Sequence, residues 1–246
     1  MKLRNLFFVA AALFMAACSS KPQLISYIDP KIGTGDHGHV FVGANVPFGM
    51  VQVGPTSIPQ EWDWCSGYHA SDSTLIGFSH THLSGTGIGD LFDVTVMPVV
   101  GDVTYSRGDG VNPASGMWSF ADRSKEVARP GYYSVPVVRY GVVAEISATS
   151  RVGYHRYTFP ASQEAALVID LKNGGCWDSV TESHMEVVGD NRIEGYRYSS
   201  GWANDQKVYF VAEFSKPFQS FDIHNTHYGR AAFTTSADEQ ILLKVA

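Results

Sequence analysis

The chain has 246 residues, with 18 Lys and Arg against 24 Asp and Glu and a net charge of −6 at neutral pH. An acidic balance without basic patches excludes nucleic acid and anionic lipid headgroups as partners, since both require clustered Lys and Arg. A 44% hydrophobic, 17% charged composition is that of a globular chain, and its length suits one large β domain of roughly 200–250 residues.

The first eighteen residues read M-K-L-R-N-L-F-F-V-A-A-A-L-F-M-A-A-C: two basic residues, an apolar run, then small residues before a cysteine. This is a secretory signal over residues 1–17, too short for a membrane span. Met15 to Cys18 fits the bacterial lipobox, so Cys18 is expected to become the lipidated first residue of an outer-membrane lipoprotein, on the periplasmic face or the cell surface. Cleavage of an ordinary signal near Ala17 is the other reading. Removal of Lys2 and Arg4 takes the net charge to −8, so the lipid and not surface charge would hold the protein at a membrane. Residues 18–26 then form a tether, and 27–246 the domain.

Residues 29–92 are rich in Gly, Pro and His and poor in clean strand runs. They are expected to be long loops on one rim, and loops of that length are functional or disordered. Their aromatic content argues against disorder. Two segments stand out: Gly33 to His39 (G-T-G-D-H-G-H), and Trp62 to Gly89, which holds W-D-W-C-S-G-Y-H and G-F-S-H-T-H-L-S-G-T-G-I-G. Indoles that cover the apolar face of a pyranose, beside groups that hydrogen-bond its hydroxyls, would use this mixture. Trp62 and Trp64 would point to opposite sides of an extended segment, one to the core and one to a site. Asp63 and Asp36 can accept from sugar hydroxyls or cap turns; Asp90 and Asp93 read as structural loop acids.

His37 and His39, and again His80 and His82, are H-x-H pairs that can present two imidazoles on one side of an extended segment. Hydrogen bonding in or beneath a sugar pocket is the preferred role. Zinc ligation, with Asp36 or Asp90 completing the shell, is the rival; H-x-H metal hydrolases usually need alternating strands and helices, which this pattern lacks. No residue is therefore assigned to a metal. The glycines at 85, 87 and 89 lack the Lys and the strand–turn–helix setting of a phosphate loop. Cys65 and Cys176 could pair in an exported chain, but the position of Cys65 inside the site block argues for a free thiol.

From Asp93 onward, short runs rich in β-branched and aromatic residues recur between turn residues. They are Asp93–Val100, Tyr132–Tyr140, Val142–Ser147, Val152–Phe159, Ala165–Leu171, His184–Val188, Arg192–Tyr198, Lys207–Phe214, Ala231–Thr235 and Gln240–Val245. Gly108 to Arg123 interrupts them as a turn-rich insertion. Such spacing without helices predicts an all-β sandwich. The last run meets no closing turn before Ala246, which leads us to expect the front part of a longer protein.

Four ordered blocks, Tyr27–Gly35 (Y-I-D-P-K-I-G-T-G), Gly43–Gln52 (G-A-N-V-P-F-G-M-V-Q), Trp62–His69 and Gly77–Gly87, resemble glycoside hydrolase family 92, the calcium-dependent exo-α-mannosidases. The resemblance implies an N-terminal supersandwich of the galactose-mutarotase type, followed in the family by an (α/α)6 barrel that this chain does not contain. It implies that calcium, the general acid and the general base belong mainly to that missing C-terminal catalytic domain, so no catalytic residue is expected here. It further implies mannose-containing glycans as partners, inversion at the anomeric carbon, and a place for Trp64 and Cys65 in the mannose pocket. Asp63, His37, His39, His80 and His82 complete the expected substrate-binding set. A glycan-binding lipoprotein without hydrolysis, and a zinc hydrolase built on the H-x-H pairs, are the alternatives.

Overall fold

The computed structural model describes residues 23–246; the signal, the lipobox and Cys18 lie outside that range. Among the described residues the strands run in chain order as Ala44–Asn45 (β1), Gln52–Thr56 (β2), Thr74–Leu75 (β3), Gly77–Ser79 (β4), Thr95–Val100 (β5), Ser119–Phe120 (β6), Val127–Arg129 (β7), Tyr132–Val137 (β8) and Val142–Ala148 (β9). They continue as Gly153–Phe159 (β10), Ser162–Asp170 (β11), Ser179–Val187 (β12), Arg192–Ser200 (β13), Gln206–Phe214 (β14), Ser220–His224 (β15), Tyr228–Thr235 (β16) and Glu239–Val245 (β17).

A seven-stranded sheet has the order β1-β2-β4-β5-β11-β16-β15, and an eight-stranded sheet the order β12-β13-β14-β17-β10-β9-β8-β7. β3 and β6 form a separate pair. The molecule is the β-sandwich that the strand pattern predicts.

Alternation explains the eight-stranded sheet. In β9, β10 and β17 every second side chain is buried, from Val142 to Ile146, from Gly153 to Phe159 and from Ile241 to Val245. One face of that sheet meets the core and the other meets water. The central strands β5 and β11 differ: Thr95 to Val99 and Ala165 to Asp170 are buried without alternation, as when both faces of a sheet are covered. Phe78 of β4, fully buried, reaches the rings of Tyr133 and Tyr157 across the sandwich at 6.5 and 6.1 Å. Removing such a ring typically costs about 3–5 kcal/mol.

The segment 29–92 differs from expectation. It carries β1 to β4 and donates three strands to the seven-stranded sheet. These strands escape periodicity because they are two to five residues long and lie between covered faces; Gly54, Pro55 and Thr56 of β2 are all buried.

Polar groups fix what apolar burial leaves loose. Arg197 of β13 is fully buried and donates to Asp93 Oδ1 (2.7 Å), to the Leu171 carbonyl (3.0 Å) and to Asp178. It thereby ties the segment before β5 and the loop after β11 to one strand of the other sheet. A second pin joins β4 to β10. His80 Nδ1 faces the Val94 carbonyl at 2.6 Å and must donate to it, so its Nε2 accepts from His155 Nε2–H at 2.8 Å, and His155 Nδ1 accepts from the Tyr157 hydroxyl at 2.9 Å. Gly153 makes room for this chain, since a Cβ there would sit 2.7 Å from the His80 ring.

Candidate functional site

The loop from Gly33 to Gly43 folds back on itself. The Val40 N–H donates to the Gly33 carbonyl at 3.2 Å, and a Cβ on Gly38 would lie 2.0 Å from that same oxygen, so only glycine fits there. Asp36 and His39 hold left-handed backbone, with φ of 47° and 54°. The His39 carbonyl receives the Gly85 N–H at 2.6 Å and the Ser66 hydroxyl, which locks the loop to the two following segments.

Trp62 to Trp64 is not extended; it forms a single 3-10 turn. The two indoles still part company, by the twist of the turn and not by strand alternation. Trp62 donates Nε1–H to the Gly87 carbonyl at 2.8 Å and sets its ring edge-on against His39, with centroids 4.2 Å apart. Trp64 donates to Asp72 Oδ2 at 2.7 Å and stacks on His69 at 4.4 Å. Asp63, between them, faces the glycine-rich loop.

There it meets both histidines of the first pair. His37 Nδ1 lies 2.6 Å and His39 Nε2 3.0 Å from the same oxygen, Asp63 Oδ1. The three side chains are graded in exposure, at 75% for His37, 18% for Asp63 and 6% for His39. The hydrogen bond to Asp63 raises the pKa of His37 above its ordinary value, and the hydrogen bond from His37 is the largest cause holding the Asp63 carboxyl below its own. The pair thus favours imidazolium and carboxylate. With Trp62 half exposed beside it, this open cluster offers an indole, an acceptor and a donor to a polyhydroxylated ligand.

The other expected residues lie deeper. His80 belongs to the pin described above. His82 is buried between the rings of Phe41 and Phe92, at 4.8 and 4.9 Å, and donates from Nδ1 to the Gln52 carbonyl at 2.8 Å. Burial pushes both imidazoles down to about 4, so they are neutral at ordinary pH. Cys65 is buried, with its thiol pKa raised by burial, and Cys176 is pushed up to about 11; both are free thiols.

The sequence reading names Trp62 and Trp64, one for the core and one for a site, and does not name Trp177. That indole is half exposed, and the backbone N–H of Trp177 donates to the Gly89 carbonyl at 3.3 Å. Its signal was present in Gly174 to Asp178 (G-G-C-W-D), the same glycine–cysteine–tryptophan–aspartate mixture as around Cys65.

An antiparallel two-sheet sandwich with a rim of His, Asp and Trp defines a β-sandwich domain with a polar aromatic edge. Residues 27–246 match the glycosyl hydrolase family 92 N-terminal domain, and the chain belongs to that family. It is similar to the family GH92 alpha-mannosidase BT3965 of Bacteroides thetaiotaomicron, solved in complex with mannoimidazole, at 34% identity and a TM-score of 0.85 over 91% of this chain and 32% of that one. It also resembles the GH92 family glycosyl hydrolase ccman5, at 25% identity and a TM-score of 0.73 over 91% of this chain and 32% of that one. An uncharacterized secreted glycosidase of Arthroderma benhamiae is 28% identical over 155 residues, covering 58% of this chain and 18% of the relative. The chain thus spans about a third of the length of the solved enzymes it matches.

Proposed function

We propose that this domain is the sugar-contacting wall of an exported, lipid-anchored exo-α-mannosidase that removes terminal mannose with inversion. The observation that carries this reading is the convergence of His37, His39, Asp63 and Trp62 on one open rim, in a domain 34% identical to a mannosidase solved with mannoimidazole. Trp62 covers the apolar face of the sugar, Asp63 accepts from a hydroxyl, and His37 donates to another. Trp64 and Cys65 stand behind this wall, and His80 and His82 support it from below as neutral hydrogen-bonding groups.

Inversion needs a carboxylic acid at the leaving oxygen and a carboxylate activating water, roughly 6.5–9.5 Å apart. We place both on the C-terminal part that the relatives' greater length provides, and name no catalytic residue here. Calcium takes six to eight oxygen ligands. The His37–His39–Asp63 cluster offers two nitrogens and one carboxylate, so it does not fit calcium, which we assign to the C-terminal part as well. Export follows from residues 1–17 and anchoring from Cys18, in keeping with a relative described as secreted.

The test is release of mannose from terminal α-mannosides by the complete gene product. Asp63→Ala should lower kcat/KM by at least tenfold while leaving the fold intact. Binding of mannosides without release would instead support a glycan-binding lipoprotein, and neither binding nor release would sink both readings.

A further inference from the structure

Three donor atoms from two separate loops meet beside Trp62. His37 Nδ1 and His39 Nε2 lie 2.6 and 3.0 Å from Asp63 Oδ1. One ligand atom from each of the three residues lies within 4.8 Å of the others, and the histidines are 26 and 24 positions from Asp63 in the chain. We propose that they form a binding site for one divalent transition-metal ion of the zinc type, distinct from any calcium site of the enzyme.

The donor set decides the class of ion. Two imidazole nitrogens and one carboxylate oxygen suit zinc and its borderline neighbours, whereas calcium and magnesium select oxygen alone. Three protein ligands also leave a coordination position free for water or a hydroxyl, as in open zinc sites.

Two of the three ligands are already fixed. The His39 ring is packed by the indole of Trp62, which is itself held by the Gly87 carbonyl, and the His39 carbonyl is clamped by Gly85 and Ser66. Asp63 is set by the 3-10 turn. In a tetrahedral shell with ligands near 2.0–2.1 Å, neighbouring donors lie about 3.3 Å apart. His39 and Asp63, at 3.0 Å, are close to that spacing. His37 and Asp63, at 2.6 Å, must open by several tenths of an ångström. That adjustment falls on His37, the exposed member, whose ring can swing outward into solvent.

The competing description is a hydrogen-bonded ion pair with no affinity for metal. A titration separates the two. The complete protein, stripped with chelator and then saturated with calcium so that any calcium site is filled, is titrated with Zn2+ and, separately, with Co2+. One equivalent of Zn2+ should bind at micromolar concentration or below, and Co2+ should give the intense visible bands of four- or five-coordinate geometry. His37→Ala and Asp63→Ala should each weaken Zn2+ at least tenfold without moving the metal-free urea midpoint of the His37 variant. Absence of a stoichiometric site, unchanged affinity in His37→Ala, or displacement of Zn2+ by excess Ca2+ would overturn the proposal. The metal site shares His37 and Asp63 with the proposed sugar wall, so the two readings are tested apart. Mannoside binding is measured on the same samples without transition metal, so loss of one result leaves the other standing.

Discussion

The rim segments between Gly33 and Val94 and the eight-stranded sheet are held by different physics. The sheet is an alternation device: apolar residues at every second position of β9, β10 and β17 pack inward, and many interchangeable contacts share the work. The rim is specified by few, directional and irreplaceable contacts. Asp93 is held by Arg197, His80 by His155, and His39 by Ser66 and Gly85. Leu91, Phe92 and Val94 have φ of 78°, 64° and 52°, a conformation that bulky side chains take only when their surroundings over-determine it. A region built this way positions side chains accurately but tolerates little change.

The comparison breaks first at Arg197. Arg197→Ala leaves Asp93 and Asp178 buried without their partner and should cost about 3–5 kcal/mol. Hydrogen exchange should rise at residues 89–93 and 172–178 while β9, β10 and β17 stay protected; uniform loss across both regions would contradict a rim held separately. The next largest effect is on pH dependence. His80 is neutral in the folded state and pushed down to about 4 by burial, against an ordinary value of 6.5; burial also holds His155 well below that ordinary value. The unfolded chain therefore binds more protons, and stability present above pH 6.5 is lost as pH falls toward 4, by about 3 kcal/mol for His80. Urea midpoints at pH 7.5 and 4.5 measure this, and His155→Gln should flatten the slope. A flat wild-type profile would remove the pin from the account.

In the sheet, by contrast, Ile241→Val should cost only about 1 kcal/mol, with the rim's exchange pattern unchanged. Smallest is His37→Ala. An exposed side chain at the site should move the urea midpoint by no more than about 0.5 kcal/mol, so any loss of ligand binding in that variant reports the site and not the fold.

What was legible follows the same division. The runs from Tyr132 to Val245 announce themselves by β-branched and aromatic residues between turns, and each corresponds to a strand within a few residues. The early strands do not, because Gln52–Thr56 includes Gly54 and Pro55 and is buried without alternation. For the candidate site, composition singles out the two segments, and His37, His39 and Asp63 are named from them. Their meeting on a single oxygen was not legible, since no periodicity links positions so far apart. The fates of Trp62 and Trp64 depended on a 3-10 turn where extended chain was expected. Asp63, not Asp36 or Asp90, proved to be the carboxylate beside the first histidine pair. Asp90 instead accepts the backbone N–H of Ala203 at 3.0 Å.

The position of β17 has a consequence for how the chain emerges from the ribosome. β17 lies between β14 and β10, pairing with seven residues of β10 and three of β14. The hairpins β7–β10 and β12–β14 are therefore synthesised as two half-sheets with bare inner edges, and remain so until residues 239–245 arrive to join them. Open edges of this kind are templates for association between chains. A chain bound for export would thus meet its greatest risk of aggregation just before its last described strand is made, which is also when a holding chaperone would matter most.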